Sequence, residues 1–119
     1  MDACLLDTDT LNEVLKRKNA NVVQHAADYL AQHGQFAMSS MSRYELLRGL
    51  KEKNAATQLA RFQAFCQNTI ILPVIDDILE EAVDLWVIGR KQGLVPKDAD
   101  LIIAATALLA LPASAAEVE

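Results

Sequence analysis

Carboxylates stand at three places where apolar sequence meets a loop or a helix start: Asp7, Glu45, and Asp98 with Asp100. Asp7 closes the run Ala3-Cys4-Leu5-Leu6, which reads as a short buried strand, and Thr8 and Asp9 follow it. In an open α/β sheet the carboxyl ends of the parallel strands line the ligand crevice, so this strand delivers Asp7 to that edge. Oxygen donors of this kind suit hard divalent cations such as Mg²⁺ and Mn²⁺, which are commonly held by one or two carboxylates plus waters and phosphate oxygens. A cation held there can activate a water and steady the charge on a phosphate in flight. The competing structural role is helix capping, which Asp performs well.

No other catalytic system is visible. Ser39, Ser40 and Ser42 have no histidine partner, and the chain has neither a glycine-rich phosphate loop nor an HExxH motif. His25 and His33 lie in helical sequence without a metal-ligand pattern around them and read as solvated positions. Cys4 and Cys66 are too few for a disulfide framework or a zinc knuckle and read as buried, reduced thiols. The net charge of −5 and pI of 4.9 argue against nonspecific nucleic-acid binding, which rests on neutralising phosphates with Lys and Arg. Arg43, Arg48, Lys51, Lys53 and Arg61 nonetheless make a locally basic stretch around Glu45, suited to guiding an anion toward it, or simply a solvated helix face. Asp76, Asp77, Glu80, Glu81 and Asp84 make an acidic stretch with no base. No signal peptide and no apolar run of the roughly 18 residues needed for a membrane span is present, which implies a cytoplasmic protein without membrane contact.

The elements that must position the acids follow from spacing. A chain of 119 residues, 52% hydrophobic and 23% charged, suits one domain with a packed core. At 5% aromatics, that core must be filled by aliphatic residues. After the first strand, a helix runs from about Leu11 to Lys18, capped by Asp9 or Thr10. Asn19-Ala20-Asn21 breaks the pattern. A second helix carries Val22, Val23, Ala26, Tyr29 and Leu30 at helical spacing and ends at Gly34. Gln35-Phe36-Ala37-Met38 is a second strand, and one of Ser39, Ser40 or Ser42 caps the helix that carries Glu45. A further helix spans about Ala55 to Cys66. Thr69-Ile70-Ile71-Leu72 is a third strand closed by Pro73. The helix opening at Asp76-Asp77 places Ile78, Leu79, Ala82, Leu85, Trp86 and Ile88-Gly89 on its apolar side, with Trp86 as a core anchor. Leu101 to Leu109 is almost wholly apolar and predicts a buried helix, whereas the sequence beyond Pro112 carries no helix or strand pattern. Alternating strands and helices predict an α/β protein with a parallel sheet and right-handed crossovers.

The segments LLDTD, SSMSRYELLRG and KDADLIIAATALL, in that order over residues 3 to about 109, resemble the three sequence blocks of the PIN-domain family, and in particular of VapC-type toxins of bacterial toxin–antitoxin pairs. The third block is the most specific. The resemblance implies a three-layer α/β/α sandwich with a parallel sheet, forming a single PIN-like domain over residues 1–119. It implies an endoribonuclease dependent on Mg²⁺ or Mn²⁺ that cleaves RNA and is held in check by a cognate antitoxin. Asp7, Glu45 and Asp100 match the family's catalytic and metal-holding positions; Asp98 lies beside them and is expected to assist in holding the metal, and Thr8 matches a small polar neighbour that orients a ligand or water. Gly49, one turn after Glu45, is expected to let two elements approach closely.

Family members continue after the apolar helix with a strand, a turn bearing a fourth acid, and a last strand. Here the sequence reads ALPASAAEVE, so residues 110–119 are a non-matching tail, the last strands are missing from the fold, and neither Glu117 nor Glu119 is assigned that role. The first strand is then expected at a sheet edge. Its unpaired backbone groups are a template for another strand, met by a homodimer, by exchange of segments, or by the chain's own tail from Leu111 onward. The alternative function is a catalytically impaired PIN-like module that binds an antitoxin or serves assembly.

Overall fold

The computed structural model describes residues 3–111 and 117–118. Its elements are β1 (Cys4–Leu5), α1 (Thr8–Lys16), α2 (Ala20–His33), β2 (Ala37–Ser39), α3 (Ser40–Glu52), α4 (Ala56–Gln67), β3 (Ile70–Leu72), α5 (Asp76–Lys91), α6 (Asp98–Ala110) and β4 (Glu117–Val118). The strands are short because the sequence gives each only a few β-branched or bulky apolar residues before a cap or a proline. β2 and β3 pair in parallel, Ala37 with Ile70 and Ser39 with Leu72. β1 joins β2 through a single parallel bridge, Leu6 with Met38, and the Leu6 N–H donates to the Ala37 carbonyl at 2.9 Å.

Side chains alternate across this small sheet, which sorts the helices into layers. Cys4, Leu6 and Met38 face one side, where Leu11, Tyr29, Phe36 and Phe62 complete the main core and α1 to α4 cover it. Leu5 and Ala37 face the other side and pack on Ile103 and Ala107 of α6. A third cluster, Ile78, Ala82 and Ala105, holds α5 on α6. The result is the expected α/β class with a parallel sheet between helical layers.

The tail meets the edge of the first strand. Glu117–Val118 forms β4, parallel to β1 with Cys4 opposite Glu117 and Leu5 opposite Val118. Of the three expected ways of covering that edge, the chain uses its own tail, so the β1 edge is no longer a reason for dimerisation. A two-residue strand is too short to show a period of two, and its pairing rests on backbone groups, which no side-chain pattern reveals. The remaining tail residues, 112–116 and 119, lie outside the described residues. On its other flank, β1 is tied to α2: the Cys4 N–H donates to the Tyr29 hydroxyl at 3.1 Å, and that hydroxyl lies 3.2 Å from the Cys4 carbonyl.

Several local expectations shift. Asp7, rather than Asp9 or Thr10, caps α1, and Arg17 ends it one residue before Lys18 in the left-handed region (φ 54°). Asn19 caps α2, its side chain accepting from the N–H groups of Asn21 and Val22, and Gly34 ends the helix at φ 81°. Ser39 is the cap of α3. Trp86 is not a core anchor: it is 45% exposed, because the face of α5 that meets α6 is filled by Ile78, Ala82 and Leu85. His25 is solvated as expected, but the His33 ring packs on Tyr29 with centroids 4.5 Å apart. Cys4 is buried and Cys66 half-buried, and both are free thiols.

Gly49 does not mediate a close approach, since a Cβ there would meet nothing within 4 Å. Gly89 does: a Cβ would lie 2.9 Å from Cγ of Pro96, where the α5–α6 loop folds back. Gly89→Ala should therefore destabilise the protein by about 1–3 kcal/mol through overpacking, although alanine is the better helix former. Urea unfolding followed by circular dichroism measures this, and an unchanged midpoint would show that the loop yields freely.

Candidate functional site

Asp7 sits where β1 ends at the carboxyl edge of the sheet. Its Oδ1 accepts from the Thr10 N–H at 2.9 Å and its carbonyl accepts from the Leu11 N–H at 2.9 Å, so it caps α1. Capping engages one carboxylate oxygen and fixes the side chain at the helix start, where the dipole favours its charge. The next residue, Thr8, reaches across to α3: its Oγ1 donates to Oε1 of Glu45 at 2.7 Å. Charge-assisted bonds of this length are strong for hydroxyl donors. Two adjacent residues of the chain thus present one acid and hold another.

Glu45 lies in the second turn of α3 and is partly buried. The helix is anchored behind it by Leu46, Leu47 and Leu50 on the main core. Ser42, one turn earlier, is fully buried, and its hydroxyl has no hydrogen-bond partner among the described residues. Asp98 and Asp100 occupy the first turn of α6 and are exposed. Both complement the helix dipole there, and no side chain caps that helix. Ile103, one turn after Asp100, packs beneath the sheet against Leu5 and Ala37.

The structure thus brings Thr8 and Glu45 into contact and sets Asp7 beside them in sequence. Among the described residues, no three His, Cys, Asp or Glu side chains are gathered closely enough to hold a metal ion. The donor chemistry nevertheless suits a hard cation. All four acids offer oxygen only, and the Lys16–Glu13 ion pair involves none of them. The Thr8 hydroxyl, expected to orient a ligand or water, is here engaged by the Glu45 carboxylate. Nothing in the sequence signals that bond, because the partners are 37 residues apart and on different elements.

Cys66 is half-buried. Burial pushes its thiol above the usual range, and the Arg43 guanidinium opposes that only in part. Arg43, Arg48, Lys51, Lys53 and Arg61 are all exposed, as solvated or anion-guiding groups must be, and the Arg48 guanidinium lies 5.1 Å from the centre of the Tyr44 ring. No helix among the described residues is long and apolar enough to cross a membrane.

Residues 4–110 match the model of the PIN domain, and the chain belongs to that family. No curated protein matches it in sequence. Solved structures share the fold. A chain of the VapBC2 complex of Rickettsia felis bound to a promoter DNA fragment superposes with a TM-score of 0.77 at 20% identity, over 89% of this chain and 80% of that one. A chain of the DNA-bound VapBC complex of Salmonella typhimurium gives 0.77 at 20% identity, over 90% and 80%. A chain of a toxin–antitoxin complex from Klebsiella pneumoniae gives 0.71 at 25% identity, over 91% and 80%.

Proposed function

We propose that this chain is a Mg²⁺- or Mn²⁺-dependent endoribonuclease, acting in the cytoplasm as the toxin of a type II toxin–antitoxin pair. The observation that carries the reading is the Thr8–Glu45 hydrogen bond at 2.7 Å. It ties the acid of α3 to the residue next to Asp7, at the sheet edge where a family of nucleases would place its site. In this reading the whole chain is one domain. Asp7, Glu45 and Asp100 hold the ion, and Asp98 stands beside them. When bound, the ion supplies a charge that stabilises the phosphodiester oxygens and lowers the pKa of an attacking water.

The protein's own contribution is orientation. Capping leaves the second oxygen of Asp7 available, and the Thr8 hydroxyl engages Oε1 of Glu45 and leaves Oε2 available. The basic exposed face of α3 and α4 guides the RNA backbone toward Glu45. The antitoxin lies between α1–α2 and α3, where Val23 and Leu30 are exposed and Val22 is half-buried. A second copy of the chain completes the list of partners.

The second reading is a PIN domain impaired in catalysis that serves antitoxin binding or assembly. Its support is the lack of a gathered three-carboxylate cluster among the described residues. Incubating the protein with structured RNA across a Mn²⁺ titration separates the two. Metal-dependent cleavage supports the nuclease, and no cleavage at saturating metal supports the module. Within the nuclease reading, Thr8→Val should lower cleavage by about 10–100-fold, the loss typical when a group holding a metal ligand is removed. Thr8→Ser, which keeps the hydroxyl, should retain most of the activity.

A further inference from the structure

Helix α3 carries an aromatic and basic stripe beside Glu45. Tyr44, Arg48 and Lys51 recur at i, i+4 and i+7 and are all exposed, and Glu52 closes the stripe at the helix end. The core is served from another side of this helix, by Leu46, Leu47 and Leu50. Tyr44 is 55% exposed, so its ring contributes little to packing and is open to a ligand. The Arg48 guanidinium lies 5.1 Å from the ring centre, and its Nη1 donates to the Tyr44 hydroxyl at 3.5 Å, the long limit of a hydrogen bond. The cation–π attraction steadies the two flexible side chains against each other. Both the ring and the guanidinium are flat, and nucleobases stack on either kind of plane.

A second pair of the same kind shows what the surroundings decide. On α5 the Arg90 guanidinium lies 5.8 Å from the centre of the exposed Trp86 ring. The first half of that helix carries Asp76, Asp77, Glu80, Glu81 and Asp84, which repel a phosphate backbone. The α3 pair instead has the exposed Arg43 and Lys51 on its own helix. It also adjoins the candidate site. Tyr44 directly precedes Glu45, about 100° around the helix, and the Thr8 hydroxyl holds Glu45 at 2.7 Å. A strand with a phosphate at Glu45 therefore finds a flat ring and a cation immediately beside it.

We propose that Tyr44 and Arg48 form a stacking subsite for one unpaired base of the RNA, next to the phosphate held at Glu45. Tyr44 supplies the plane, and Arg48 fixes that plane and contacts the adjoining phosphate. The placement of the phosphate rests on the nuclease reading above. A base within a duplex is already stacked on its neighbours, so the subsite takes unpaired nucleotides.

Fluorescence anisotropy of the full chain with a labelled short single-stranded RNA tests this, in EDTA so that binding is read without cleavage. The wild type should bind. Tyr44→Leu should weaken binding roughly tenfold, the loss of one base stacked on an aromatic ring, whereas Tyr44→Phe should bind as the wild type does. An RNA strand stripped of its bases should bind wild type and Tyr44→Leu equally. Arg48→Ala should reduce the slope of log affinity against log salt by about 0.7, one phosphate contact on a single strand. Tyr44→Leu should leave that slope unchanged, and Arg90→Ala should alter neither slope nor affinity.

Unaltered RNA binding by Tyr44→Leu overturns the proposal and leaves the ring as a protein-contact residue. So does a wild type that does not bind, an equal loss by Tyr44→Leu on the base-free strand, or an equal loss in Arg90→Ala, which would make net charge sufficient. Cleavage with Mn²⁺ is measured separately. The Tyr44 effect without cleavage keeps the subsite and ends the nuclease reading, and cleavage without the Tyr44 effect does the reverse.

Discussion

Asp7→Asn and Glu45→Gln should each lower metal-dependent RNA cleavage by roughly 10²- to 10³-fold, the loss typical when one preorganised electrostatic group is removed. Neither should unfold the protein. Asparagine caps helices as well as aspartate does, and its side-chain oxygen can keep the bond from the Thr10 N–H now made to Asp7. Glutamine at position 45 still offers an oxygen to the Thr8 hydroxyl. What each variant loses is one negative charge available to a cation. Mn²⁺ titration calorimetry should show the same order of weakening as the cleavage assay, with thermal midpoints close to wild type. Full activity in Asp7→Asn would show that Asp7 is a cap and nothing more.

Phe62→Ala should have the largest effect on stability, about 3–5 kcal/mol, as for other buried aromatic truncations. Phe62 is fully buried at the centre of the cluster formed by Leu6, Leu11, Tyr29 and Met38. The same cluster carries Leu46, Leu47 and Leu50 of α3 on its border. The cavity left by the ring would therefore loosen the seat of the helix that presents Glu45. Urea unfolding measures the cost, and a loss under about 1 kcal/mol would show that the neighbours collapse into the space. Because so small a domain is only marginally stable, partial unfolding near body temperature is expected for this variant.

Much of the architecture was legible because it rests on local rules. The order of nine of the ten elements follows from apolar spacing, caps and breakers: Gly34 after α2, Pro73 after β3, Asp76 and Asp77 opening α5. The sorting of Leu5 to one face of the sheet and Leu6 to the other follows from the period of a strand. Boundaries slipped by a turn where two residues compete for one role. Asp7 outcompeted Asp9 and Thr10 as the cap of α1 because it sits at the strand end with extended backbone, the conformation a cap requires. Asp98 and Asp100 fell inside α6 rather than before it because acids in a first turn stabilise it.

The amino-acid sequence by itself determined the element order, the α/β class, the resemblance to PIN domains and the placement of Asp7 at the end of the first strand, Glu45 on α3, and Asp98 and Asp100 at the start of α6. Those properties depend on neighbours within a few residues, or on motifs read in order. Only the tertiary structure decided the rest, because each item joins residues distant in the chain. It put Thr8 against Glu45, laid the tail's Glu117–Val118 beside β1, and set Gly89 rather than Gly49 at a close approach. It also turned Trp86 outward. Which face of a helix is buried is settled by the helix that packs against it, and α6 meets the face of α5 that carries Ile78, Ala82 and Leu85.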